Sequence, residues 1–70
     1  MSTSNTAKIT ELLQKFKSLE ASGAAKSSHP DHDARNVALD ELQDLVGYAG
    51  KMVMERDIVK KAEQILATSK

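Results

Sequence analysis

The sequence predicts an all-α fold, on three observations. Apolar residues recur at three-and-four spacing, first as Ile9, Leu12, Leu13, Phe16 and Leu19, then as Ala38, Leu42, Leu45, Val46, Ala49, Met52 and Val53. That interval gathers side chains onto one face of a helix. A tract of small and polar residues around Gly23 separates the two stripes, as a connection between helices does. The chain has 70 residues and no cysteine, so one small domain must draw its core from Leu, Ile, Val, Met and Ala, with no disulfide or thiolate metal site to help.

In chain order, residues 1–5 are polar and read as a disordered tip, with Asn5 or Thr6 capping the first helix. Helix 1 is expected over residues 6–21. Its Glu11 and Lys15 form an i, i+4 pair in the favourable order, and Gly23 stops it. Residues 22–30 form a loop that ends at His29 and Pro30. Ser28 and Asp31 have the spacing of a capping pair, and Asp31 and Asp33 suit the positive end of a helix dipole.

Helix 2 is expected over residues 31–67, with a bend or break at 54–57. The apolar stripe of residues 38–53 is centred roughly 140° from that of Ile58, Val59, Ala62, Ile65 and Leu66 by helical geometry. Either the chain breaks there and Asp57 caps a third helix, or a long helix runs on. The series Ala38, Leu45, Met52, Val59, Leu66 is unbroken across the point, which favours continuity. Gly47 and Gly50 then lie inside a helix, where each costs about 1 kcal/mol relative to Ala, and a close helix crossing is one reason to tolerate them. A kink or a helix end is the other.

Composition narrows function. Ten basic and ten acidic residues cancel, which removes the general positive field that drives binding to phosphate backbones, and one Tyr, one Phe and no Trp leave few platforms for stacking bases. A helix-turn-helix with Gly47 in the turn would place a recognition helix of mixed charge in the groove. Residues 31–50 are acidic and residues 51–70 basic, so antiparallel copies would set opposite charges together. No nucleophile or acid–base pair is arranged for catalysis, and no cofactor is implied. His29 and His32, with Asp31 and Asp33, are the only cluster with the chemistry of a metal site, and they read more simply as a cap and a loop. The N-terminal residues lack an apolar signal core, so a soluble cytoplasmic protein is expected.

Two resemblances attach to these residues. The Asn5-Thr6 start before Leu12-Leu13, the loop ending at His32, the segment Ala38-Leu39-Asp40 followed by Leu42, then Gly50 and Arg56 resemble the small anti-activator proteins of Mu-like Pseudomonas phages. That resemblance implies a helical hairpin that dimerises into a four-helix bundle and blocks a host protein such as a transcription regulator. On this reading Leu12, Phe16, Leu42, Leu45, Ala49 and Met52 hold the core and dimer interface, while Leu39, Tyr48, Met54 and Arg56 contact the partner. Separately, His29-Pro30-Asp31 resembles the tripeptide of J-domain co-chaperones, which implies contact with a heat-shock chaperone ATPase.

Overall fold

The computed structural model describes residues 2–68, with side chains from residue 6 onward; the expectations for Met1, Ser69, Lys70 and the side chain of Asn5 lie outside the described residues. The described chain is all-helical, with α1 over Ser2–Ala21, α2 over His32–Leu45 and α3 over Glu55–Thr68.

Helix α1 begins at Ser2, so residues 2–5 of the tip expected to be disordered form its first turn, and Thr6, expected as a cap, lies inside the helix. It ends before Gly23, as the sequence predicts, and the φ of that glycine is +94°. The amide of Ala24 donates to the Leu19 carbonyl at 3.0 Å and that of Gly23 to Glu20 at 3.0 Å, the Schellman pattern that satisfies the last free carbonyls of a helix. Ala24 is fully buried and anchors the small-residue tract. The capping pair Ser28 and Asp31 is not used. Asp31 occupies the N-cap of α2 without a side-chain hydrogen bond, and its amide donates to Nδ1 of His29 at 3.0 Å.

The continuous second helix does not form; α2 stops at Leu45. The amide of Tyr48 donates to the Gln43 carbonyl at 3.0 Å and that of Gly47 to Asp44 at 3.2 Å, which repeats the pattern at Gly23. Gly47 has φ of +89° and Gly50 of +73°, and nothing lies within 4 Å of a Cβ built on either. Both glycines therefore serve backbone conformation, and a close helix crossing plays no part. Helix α3 begins at Glu55, with the amides of Asp57 and Ile58 donating to the Met54 carbonyl. Asp57 lies within the first turn of α3 instead of capping it.

The core joins all three helices. Ile9 and Leu13 of α1, Leu42 of α2, Val46 just beyond it, and Ile58 and Ala62 of α3 form one buried cluster. Leu42 and Ile58 are its largest fully buried side chains, each stabilising the fold by about 1.5–3 kcal/mol through burial. Packing is most extensive between α1 and α2. Glu20 meets Arg35 near one end of that pair, and Lys8 and Leu12 share a groove with Asp44 and Leu45 near the other, so the two helices run in opposite directions. The phase shift between the two apolar stripes is resolved by the break at 46–54, which lets α3 turn Ile58 and Ala62 inward independently of α2.

Candidate functional site: the loop between the second and third helices

Residues 46–54 form a loop held at several points. The Lys51 amide donates to the Tyr48 carbonyl at 3.0 Å, closing a turn with Gly50 at its third position, where a positive φ is needed. Gln43 on α2 then clamps the loop: its Nε2 donates to the Tyr48 carbonyl at 2.9 Å and the Lys51 carbonyl at 2.8 Å. At the far end, Arg35 donates to Glu55, the first residue of α3. Tyr48 and Val53 pack against the core from the loop.

On this held backbone sit two exposed thioethers. Met52 is 103% exposed and Met54 60% exposed, and Lys51 and Arg56 beside them are exposed as well. Between loop and α3 lies a furrow of about 180 Å³, to which the loop contributes Tyr48 and Val53, and α3 contributes Asp57, Lys60, Lys61 and Gln64.

The anchor of the loop's exit is a buried arginine. Arg35 is 6% exposed. Its Nε donates to Glu20 at 2.6 Å, its Nη1 to Oδ1 of Asn36 at 2.9 Å and its Nη2 to Glu55. The guanidinium lies 5.2 Å from the centroid of the Phe16 ring, within cation–π range. The hydrogen bond to Glu55 raises its pKa above the ordinary arginine value; burial opposes this, and the bond to Glu20 reinforces it. The polar chain continues through Asn36, whose Nδ2 lies 3.2 Å from Nε2 of His32, while Nδ1 of His32 lies 2.9 Å from the Ala24 carbonyl. A carbonyl accepts only, so Nδ1 carries the proton and Nε2 accepts from Asn36. The candidate metal histidines are thus tied into the turn before α2, and among the described residues no three His, Asp or Glu side chains are gathered for a metal.

A second concavity, of about 480 Å³, runs between α1 and α2. Lys8, Glu11, Leu12 and Lys15 line it from α1, and Glu41, Asp44 and Leu45 from α2.

The residues expected to act are distributed as follows. Leu42 and Phe16 are buried, and Leu12 and Leu45 half-buried at the edge of the core. Ala49 and Met52, placed on the same seam by helical phase, lie on the loop outside the buried core, because the helix that would have turned them inward ends at Leu45. Of the expected partner contacts, Met54 and Arg56 are exposed. Tyr48 and Leu39 are half-buried against the core, and only Tyr48 lines the furrow. Sequence reasoning passes over Arg35 and Gln43. Arg35 carries one signal, as the sole Lys or Arg among residues 31–50; Gln43 carries none.

In comparisons with family models, curated proteins and solved structures, nothing matches this chain. No helix of the described residues is long and apolar enough to cross a membrane.

Proposed function

We propose that this is a non-enzymatic protein-binding protein whose contact surface is the loop of residues 46–54 with the first turn of α3, and that it acts by occupying and blocking a host protein. The observation that carries this reading is Met52, wholly exposed on a backbone that Gln43 clamps at two carbonyls. An apolar side chain held in water by an ordered loop gains nothing for the fold. Presented in advance, it lowers the ordering cost of association, and methionine adapts to irregular apolar surfaces. A host regulator as target rests on the resemblance to phage anti-activators.

The test is affinity capture from a bacterial host lysate, with the retained proteins identified by mass spectrometry. The wild-type chain is expected to retain one partner in stoichiometric amount, and the Met52→Ser, Met54→Ser double variant to lose it. Absence of such a partner, or equal retention by both chains, would refute the reading.

Pairing of two copies belongs to the same proposal and is favoured by the groove between α1 and α2. Lys8 and Lys15 line it from α1 and Glu41 and Asp44 from α2, with Leu12 and Leu45 between. A copy that lays its α1 over this α2 covers the leucines and sets Lys8 and Lys15 near Glu41 and Asp44, with Glu11 opposing in part, so that the α1–α2 pairs of the two copies form a four-helix layer. Sedimentation showing only monomer at micromolar concentration would exclude it.

A further inference from the structure

Folding redistributes the charge of residues 51–63. By sequence this stretch holds Lys51, Arg56, Lys60 and Lys61 against Glu55, Asp57 and Glu63. In the structure two of these acids are engaged elsewhere: Glu55 by the buried Arg35, and Glu63 by Lys17 of α1 at 2.7 Å. Arg35 is shared with Glu20, so it offsets Glu55 only in part, and Asp57 with the remainder of the Glu55 charge is left against the four cations. The surface that carries Met52 and Met54 is therefore basic, although the whole chain has a formal net charge of zero.

The cations and the apolar groups are also arranged differently in space. Met52 and Met54 project into solvent, whereas Lys60 and Lys61 line the furrow, whose loop side is Tyr48 and Val53. A ridge that wants apolar cover thus stands beside a small concavity that wants an anion.

We infer that this surface takes an acidic segment of a protein partner, in which a carboxylate side chain enters the furrow at Lys60 and Lys61 while neighbouring apolar side chains cover Met52 and Met54. The inference rests on the loop being the contact surface, as proposed above, and adds the chemistry of what it contacts. A furrow of about 180 Å³ accommodates a single projecting side chain. A phosphate backbone offers no apolar cover for two thioethers. Asp57 in the same furrow opposes the dianion of a phosphorylated side chain more strongly than a single carboxylate, because the repulsion scales with the incoming charge.

Fluorescence anisotropy with a synthetic amphipathic helical peptide, leucines along one face and glutamates flanking them at the edge of that face, tests this. Versions with lysine or serine in place of glutamate serve as comparisons. The glutamate peptide is expected to bind at least about tenfold more tightly than either, and to weaken with added salt. The Lys60→Glu, Lys61→Glu double variant should lose about tenfold or more, and Met52→Ser should also weaken binding, with circular dichroism confirming that both variants fold. Equal binding of the three peptides, no binding of the glutamate peptide, or tighter binding to duplex DNA or phosphatidylserine vesicles would overturn the inference. Lysate capture separates it from the reading beneath it. If Lys60→Glu, Lys61→Glu retains the wild-type partner while Met52→Ser, Met54→Ser loses it, the acidic segment falls and the contact loop stands. If neither variant changes capture, both fall.

Discussion

Arg35 of α2 and Glu55, the first residue of α3, form a charge-assisted hydrogen bond that ties the start of the third helix to the second. The same guanidinium binds Glu20 of α1 and lies over Phe16, so one side chain links the three helices and closes the loop that carries Met52.

Replacing Arg35 should therefore loosen more than one contact. The carboxylates left behind would recover water, since the side chains of Glu20 and Glu55 are 37% and 50% exposed, and this limits the cost. Arg35→Ala is expected to lose about 2 kcal/mol, chiefly from packing over Phe16 and the two pairs. That corresponds to a Tm lower by roughly 10 °C in a domain this small. Arg35→Met, which keeps an apolar stem over the ring, should lose about half as much. With its pKa raised in the fold, the charge of Arg35 contributes stability at neutral pH, where its carboxylate partners are charged, and loses it on the alkaline side only in strong alkali, above the ordinary arginine value. Thermal melts of the two variants at neutral pH provide the measurement. Equal stability of Arg35→Ala and wild type would show that the node holds nothing.

Gly47 and Gly50 supply a prediction whose sign distinguishes two structures. Both have positive φ with open space where a Cβ would stand, so the penalty for alanine is backbone strain alone, about 1 kcal/mol at each site. In a continuous helix the same substitutions would stabilise by about 1 kcal/mol each. Tm measured for Gly47→Ala and Gly50→Ala singly should fall; a rise would mean that the helix runs on through the loop.

These glycines also show how far the fold is legible in the sequence. Gly23 reads as a helix stop because the small residues after it carry no helical pattern, and the structure agrees. Gly47 makes the same hydrogen bonds, but the apolar spacing continues past it through Ala49, Met52 and Val53 and masks the stop. What decides the matter is tertiary: the stripe of Ile58 and Ala62 reaches the core cluster only if α3 turns independently of α2. The burial of Leu42 and Phe16 follows from spacing alone. The Arg35 node does not, because Glu20, Arg35 and Glu55 become neighbours only once the three helices are packed.

Gln43 should matter more for the loop than for the fold. Its Nε2 holds the Tyr48 and Lys51 carbonyls at 2.9 and 2.8 Å, and Gln43→Ala removes both bonds at a cost of about 1–2 kcal/mol. Hydrogen exchange should quicken at the amide of Lys51 while that of Leu42, within α2, changes little. Uniform acceleration across both would mean that Gln43 supports the whole domain, and unchanged exchange at Lys51 that the clamp is ineffective.

His32 is expected to act through its hydrogen bonds and not as a metal ligand. Nδ1 donates to the buried turn at the Ala24 carbonyl, and Nε2 accepts from Asn36, so both ring nitrogens are engaged. His32→Ala should cost about 1 kcal/mol. Zinc added to the wild-type chain should leave Tm unchanged, because binding would have to displace at least one of those bonds. A rise in Tm that depends on zinc and vanishes in His32→Ala would reverse this assignment.

Met52 and Leu42 allow folding and binding to be measured apart. Leu42 is fully buried and Met52 is 103% exposed. Leu42→Ala leaves a cavity in the core cluster and should destabilise by about 2–5 kcal/mol. Met52→Ser touches no packed atom and should stay within about 0.5 kcal/mol of wild type. Chemical denaturation fixes both numbers, and lysate capture at a temperature where every chain is folded then reads binding alone. Under those conditions Met52→Ser should lose partner while Leu42→Ala keeps it, because the loop's thioethers are intact in the latter. Loss of capture by Leu42→Ala together with full capture by Met52→Ser would move the contact surface away from the loop's thioethers.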